Sequence, residues 1–196
     1  FQHIKALPDI IGAAYEGVSP LDKQVCTAVS DRPSEQEGSY MPCFLSGVAS
    51  AKAISSSKAV PCYKFSHQAG HIAAALYSAG RMDLAEQKFL AFHVSGGTSE
   101  MLLVSPDKDR VFGVEIIGET LDLNCGQAVD RAGVMMGIPF PCGKELEKLA
   151  LKSTEKYNPK ICVKDGNCSL SGLENQCRKM LDKGESHENI ARYCID

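Results

Sequence analysis

Apolar residues recur at helical spacing near the start of the chain, at Ile4, Leu7, Ile11 and Ala14, and predict an amphipathic helix over residues 1–16. A short apolar run from Val25 to Val29 reads as a buried strand. Asp31 to Pro42 is rich in Pro, Ser, Glu and Gly and reads as loop. Phe44 to Ser57 carries Gly47, Ala49, Ala51 and Ala53, the small-residue pattern of a helix that packs closely on a sheet. Val60 to Phe65 reads as a second strand, and Ser66 is placed to cap a helix from His67 to about Ser78.

The period then changes. Phe89–Val94 and Glu100–Ser105 are strand-like runs on either side of Ser95-Gly96-Gly97-Thr98, a glycine turn, and Val111–Ile117 predicts a third strand. After Gly118 the pattern is helical, over Gly126–Met136 and Lys144–Lys152. Ser171-Gly-Leu-Glu174 has the spacing of a capping box and predicts a helix to about Leu181, and Ser186–Tyr193 predicts a last short one. Strand–helix pairs, then a meander, then helices predict an α/β or α+β fold.

The 196 residues suffice for one large domain or two small lobes. A net charge of −3 argues against free-standing nucleic-acid binding, which relies on basic excess, without excluding a local basic patch. No apolar run reaches the roughly 18 residues of a membrane span. The opening Phe1-Gln2-His3-Ile4-Lys5 lacks the form of an export signal, and nine scattered cysteines include no CxxC pair. The expectation is therefore a cytoplasmic protein with reduced thiols and no membrane partner. The start within a helical pattern, without methionine, leads us to expect part of a longer protein.

His67 and His71 stand four residues apart on a predicted helix, so both imidazoles share one face. Such a pair can hold two corners of a metal ion; it can also be two unrelated histidines near a helix start. No Glu lies beside them, so the base of an HExxH peptidase is missing. His93 stands alone in a predicted strand, where packing is the commoner role. Ser95, Gly96, Gly97 and Thr98 offer backbone amides and hydroxyls suited to a phosphate, or simply form a turn. Asp122 and Asp130 flank a loop-to-helix junction, where carboxylates can meet Mg²⁺ or ribose hydroxyls, or only favour the helix dipole. Gly143 and Glu147 follow at the start of another helix, after a Pro-rich turn.

Singly these signals are weak, but their order is specific. His-x-x-x-His, Val-Ser-Gly-Gly-Thr, Gly-Glu-Thr-Leu-Asp, Gly-Gln-Ala-Val-Asp-Arg, Gly-Ile-Pro-Phe-Pro-Cys-Gly and Ser-Leu-Ser-Gly-Leu-Glu together span about residues 40–180. This series resembles the tRNA threonylcarbamoyladenosine synthase family, also known as the O-sialoglycoprotein endopeptidase or glycoprotease family. The resemblance implies actin-like ATPase (ASKHA, ribonuclease H-like) lobes, incomplete at both ends. Residues 1–85 would belong to the first lobe and 86–196 to the second. It implies transfer of a threonylcarbamoyl group from its adenylate to N6 of adenosine 37 in tRNA, with a divalent metal (iron, zinc or magnesium) and ATP or threonylcarbamoyl-AMP. Partners implied are tRNA and a related actin-like subunit.

Carried over by position, His67 and His71 match the metal-binding histidines, and His93 stands where some relatives have a tyrosine ligand. Ser95, Gly96, Gly97 and Thr98 match the phosphate-approaching loop, Asp130 the ribose-binding acid, Gly143 the glycine against the nucleoside, and Glu147 an acid at the ribose. The sequence departs from the family at Ala69, where an acid is usual, at Asp122-Leu-Asn-Cys-Gly-Gln-Ala, and at Pro141-Cys-Gly-Lys144. The family's opening phosphate loop would lie before Phe1, and its closing metal-binding Asp after Asp196. These departures imply a divergent bacterial paralogue. A non-catalytic nucleotide-binding or partner-binding scaffold is the alternative, with a metallopeptidase or a small-molecule kinase further behind.

Overall fold

The computed structural model describes residues 2–19 and 23–196; Phe1, the first residue of the predicted opening helix, lies outside them. The chain contains helices and strands in both halves, an α/β arrangement. Its contacts divide it into two compact units, one of residues up to Phe89 with Val104–Glu115, the other of Leu90–Leu103 with Ile116–Asp196.

In the first unit, helix α1 (Gln2–Glu16) is followed by strand β1 (Thr27–Arg32), helix α2 (Phe44–Lys58), strand β2 (Cys62–Ser66) and helix α3 (His67–Ser78). The strands β1 and β2 pair in parallel with α2 as their crossover, in the register Thr27↔Cys62 to Ser30↔Phe65, and a bulge brings Arg32 opposite Ser66. Strand β1 lies two residues later than its apolar run predicts. Val25 is 76% exposed, and the ladder extends instead through the polar Ser30-Asp31-Arg32. Helix α2 lies on β1 at Gly47, where a Cβ would make only an ordinary contact with the Val29 side chain at 3.5 Å. Buried Ile72 and Leu76 anchor α3.

Strands β3 (Phe89–Val94), β4 (Ser99–Pro106) and β5 (Phe112–Glu119) form a sheet in that order, the meander expected from the sequence. Leu102 and Val104 are fully buried on β4, and Phe112 and Val114 are nearly so on β5.

The second unit continues with helices α4 (Cys125–Met135) and α5 (Gly143–Ala150), strands β6 (Cys162–Lys164) and β7 (Asn167–Ser169), and helices α6 (Ser171–Asp182) and α7 (His187–Ile195). Its core gathers Ala132, Met136, Leu146, Ala150, Cys177, Met180 and Ile190 from all four helices. Gly133 faces Cys142, leaving no room for a Cβ between α4 and the turn into α5. The β6–β7 hairpin is absent from the sequence-based expectation, although its Asp165-Gly166 turn is the strongest short-range hairpin signal. Both turn residues have positive φ, 53° and 82°, as a type I′ turn requires. The hairpin docks on the end of β5: the Leu121 N–H donates to the Cys168 carbonyl at 2.8 Å, and the Glu119 N–H to Asn167 Oδ1 at 2.9 Å.

The capping box expected at Ser171 does not form. The start of α6 is held instead by Asp122, whose carboxylate accepts the Leu170 N–H at 2.8 Å and the Ser171 hydroxyl at 2.6 Å. Glu174, the expected box partner, pairs with Arg131 and Arg178. The Ser171 hydrogen bond, backed by backbone N–H groups of Leu170 and Leu123, outweighs desolvation and holds the Asp122 carboxyl at a pKa of about 2. Among the described residues no helix is long and apolar enough to cross a membrane.

Candidate functional site

Helix α3 begins abruptly at the end of β2 because its first amides find partners there. Ser66, fully buried, accepts the Ala69 N–H on its hydroxyl at 3.1 Å, as a serine N-cap does. The Pro33 carbonyl accepts the Gln68 N–H at 3.0 Å. With two of the orphan donors satisfied, the first turn is fixed, with Gln68 and Ala69 buried and His67 exposed. His67 and His71, four residues apart, then meet: their Nε2 atoms are 3.0 Å apart and their ring centroids 4.3 Å. Both residues are exposed. The Phe44 ring lies tilted against the His67 ring at 5.7 Å between centroids, limiting its rotation from one side.

The pair fits two corners of a divalent metal site. Tetrahedral Zn–N bonds of about 2.0–2.1 Å place adjacent ligand nitrogens about 3.3 Å apart, close to the separation here. Among the described residues, no group of three or more His, Cys, Asp or Glu side chains is gathered as a metal cluster. The structure therefore supplies a two-histidine face. His93, on β3, has its Nδ1 3.6 Å from Glu100 Oε2 on β4, and both residues are half-buried. That places a carboxylate beside the one histidine of the sheet.

The glycine turn Ser95–Thr98 joins β3 to β4 and is closed by its own serine. The Ser95 hydroxyl accepts the N–H groups of Gly97 and Thr98 at 3.1 and 3.0 Å, and the Ser95 N–H donates to the Thr98 carbonyl at 2.7 Å. Open space lies where a Cβ on Gly96 or Gly97 would sit. The start of α4 packs on this turn. A Cβ on Gly126 would stand 2.8 Å from the Gly96 Cα and nitrogen, so only glycine fits. The Gly126 N–H donates to the Ser95 carbonyl at 3.1 Å, and the Cys125 N–H to the Ser99 hydroxyl at 2.8 Å. Three of the turn's amides, those of Ser95, Gly97 and Thr98, and two donors of the helix start are thus bonded within the protein.

Asp130 on α4 accepts the Cys142 N–H at 2.8 Å, fixing the turn into α5. Gly143 opens α5 on its exposed side, with open space where a Cβ would be, and Glu147 is exposed one turn further on. The structure brings Asp130 and Gly143 to the same α4–α5 junction. Asp122, a second acid considered for ligand binding, is spent on holding α6.

Sequence reasoning missed a charged group at the end of β1. Glu35 receives Arg32 at 2.7 Å and Arg110 at 2.5 Å, and Asp31 receives Arg32 at 2.6 Å. Burial pushes the Glu35 carboxyl up, but hydrogen bonds from Arg32 and Ser66 and the charges of Arg32 and Arg110 outweigh it, leaving it below the ordinary range. No local pattern announces this group, since Arg110 lies 75 residues from Glu35.

Residues 27–194 match the family described as TsaD, tRNA N6-adenosine threonylcarbamoyltransferase. The chain is 39% identical over 168 residues to the tRNA N6-adenosine threonylcarbamoyltransferase of Ligilactobacillus salivarius, covering 78% of this chain and 46% of that protein. It is 34% identical over 170 residues to the protein of the same name from Enterococcus faecalis, covering 82% and 47%. The corresponding protein of Latilactobacillus sakei is 37% identical over 135 residues, covering 67% and 37%. The chain thus spans about half the length of the first two of these relatives. On the extent of this match, the chain belongs to the tRNA N6-adenosine threonylcarbamoyltransferase family.

Proposed function

We propose that this chain forms part of a metal- and adenine-nucleotide-dependent transferase that moves a threonylcarbamoyl group from its adenylate to N6 of adenosine 37 in tRNA. The observation that carries the reading is the His67–His71 pair, two exposed imidazole nitrogens 3.0 Å apart on a helix turn fixed from behind. The family's relatives carry the name of this reaction. We assign the two units to parts of the two lobes of an actin-like fold.

In this account His67 and His71 act as neutral imidazoles, each offering its Nε2 lone pair to one cation, iron or zinc before magnesium because the donors are nitrogen. A divalent metal held there supplies Lewis-acid polarisation of a carbonyl or phosphate oxygen. His93 stands at the position of a further metal ligand in the family's pattern, and Glu100 lies beside it to orient its ring. Gly96 and Gly97 let an anionic group approach the turn closely, and Ser95 and Thr98 offer hydroxyls. Gly143 gives a nucleoside a flat approach to the start of α5, and Asp130 and Glu147 are the acids for ribose hydroxyls. The tRNA amine attacks the carbonyl carbon of the adenylate, its N–C bond forms as the C–O bond to phosphate breaks, and AMP leaves. Transfer is tested by incubating the protein with labelled threonylcarbamoyl-adenylate and an ANN-decoding tRNA, then measuring modified adenosine by mass spectrometry. Label in tRNA that disappears in the His67→Ala, His71→Ala double variant supports the reading. Undiminished label in that variant contradicts it.

A second reading, a partner-binding scaffold without catalysis, is favoured by one observation. The Gly97 and Thr98 amides already bond Ser95, and one Asp130 oxygen already bonds Cys142. A chain that shows neither AMP binding nor transfer would select it.

A further inference from the structure

Lysine stands at every fourth position from α5 to β6: Lys144, Lys148, Lys152, Lys156, Lys160 and Lys164. Residues 144–164 hold three glutamates and no arginine, a net +3 within a chain whose total is −3. All six lysines are exposed. One spacing serves two kinds of backbone here. On α5, Lys144 and Lys148 share a face, opposite the buried Leu146 and Ala150. The N–H groups of Leu151 and Lys152 donate to the carbonyls of Glu147 and Leu149, so the turn continues and Lys152 follows on the same side. Between α5 and β6 burial alternates instead: Tyr157 and Pro159 are half-buried, while Lys156, Asn158 and Lys160 are exposed. That is the alternation of an extended chain, in which residues four apart again share a side. The segment is pinned to α7: the Ser153 hydroxyl donates to Asn189 Oδ1 at 2.7 Å and the Tyr157 N–H to Asp196 Oδ2 at 3.1 Å. The Tyr157 ring meets Tyr193 edge-on, 5.4 Å between centroids. Among the described residues, only Lys148 of the six is in an ion pair, with Glu145 at 2.6 Å.

We propose that this lysine series is a docking track for the phosphodiester backbone of tRNA. This rests on the reading of the chain as acting on tRNA and adds the surface that receives it. A chain of net negative charge repels a polyanion, so binding one requires positive charge gathered in one place. Lysine suits such a track, because it meets phosphate as a point charge on a flexible stem and reads no base in doing so. The track starts at α5, where Gly143 and Glu147 are assigned to the nucleoside. Lys152, Lys156, Lys160 and Lys164 lie beyond that assignment and hold the RNA by charge alone.

The test titrates a labelled ANN-decoding tRNA by fluorescence anisotropy over a series of salt concentrations, without metal or adenylate. One variant combines Lys152→Gln, Lys156→Gln, Lys160→Gln and Lys164→Gln. A control combines Lys52→Gln, Lys58→Gln, Lys88→Gln and Lys108→Gln, the same change of charge at exposed positions of the other unit. Circular dichroism verifies folding of both. The track variant is expected to bind about tenfold or more weakly at ~0.1 M salt, and its slope of log Kd against log salt should fall by about three, roughly 0.7–0.9 per lysine lost. A tRNA that does not decode ANN codons should lose as much, since phosphate contacts carry no sequence. The control should stay within about threefold, because distant exposed charges are screened. Unchanged affinity and slope in the track variant overturn the proposal, as does an equal loss in the control or no tRNA binding by the unmodified chain. Phosphatidylserine vesicles and polyglutamate are titrated in parallel. If the track variant loses either of these and keeps tRNA, the surface belongs to a membrane or an acidic protein and the proposal fails. If the chain binds tRNA through the track but transfers nothing to it, the transferase reading fails separately and the track stands.

Discussion

Two helix starts, those of α3 and α4, carry the sequence motifs that drew attention first, and they use their donors differently. At α3 the amides of Gln68 and Ala69 bond groups behind the helix, and His67 and His71 project outward as an exposed pair. At α4 the amides of Cys125 and Gly126 bond the glycine turn, and Gly126 presses on Gly96 with no space to spare. The first start spends its backbone on fixing side chains that remain available. The second spends its backbone on joining two segments of the protein. A motif rich in glycine and hydroxyl residues can therefore be a packing device as much as an anion cradle, and only the destination of each N–H tells which.

The largest effect expected from breaking this contrast is at Gly126. Gly126→Ala forces a Cβ against backbone that has no flexible end to move, and should cost ~3 kcal/mol, at the upper end of overpacking. Urea unfolding measures it, and a loss under ~1 kcal/mol would show that the two segments are less tightly joined. The next is Asp122→Ala, which removes the cap of α6 and should cost ~1 kcal/mol near neutral pH. The sign follows from the depressed carboxyl, about 2 in the folded chain against an ordinary 3.8. The carboxylate's stabilisation is fully present above the ordinary value and is lost as pH falls from there through the folded value. Unfolding midpoints of the unmodified chain and Asp122→Ala should thus converge between those two values. The smallest stability effect is expected for His67→Ala with His71→Ala, within ~0.5 kcal/mol because both side chains are exposed. A larger loss would mean that the imidazoles serve packing.

Much of this architecture was legible in the sequence. Helical spacing and the Ser66 cap placed α3 to the residue, and the alternation around Ser95-Gly96-Gly97-Thr98 placed β3 and β4. The order of the motifs placed the chain in its family. What was not legible depends on partners far along the chain. The capping-box spacing at Ser171 gave the right helix for the wrong reason, since Asp122, 49 residues earlier, supplies the cap. Strand β1 ran on through Ser30-Asp31-Arg32 because pairing with β2 and the charges around Glu35 satisfy polar residues that a hydrophobic pattern reads as loop. The β6–β7 hairpin is too short to show alternation, so its Asp165-Gly166 turn was the one local sign. At the candidate site, the pairing of His67 with His71 followed from helical geometry, whereas the self-bonding of the Ser95 turn did not.

The central claim is that His67 and His71 together hold one divalent metal. Equilibrium dialysis of the chain against zinc, followed by metal analysis, tests it most directly when run beside the His67→Ala, His71→Ala double variant with folding verified by circular dichroism. The account predicts about one zinc retained per chain and its loss in the variant. Equal zinc in the two proteins would contradict it.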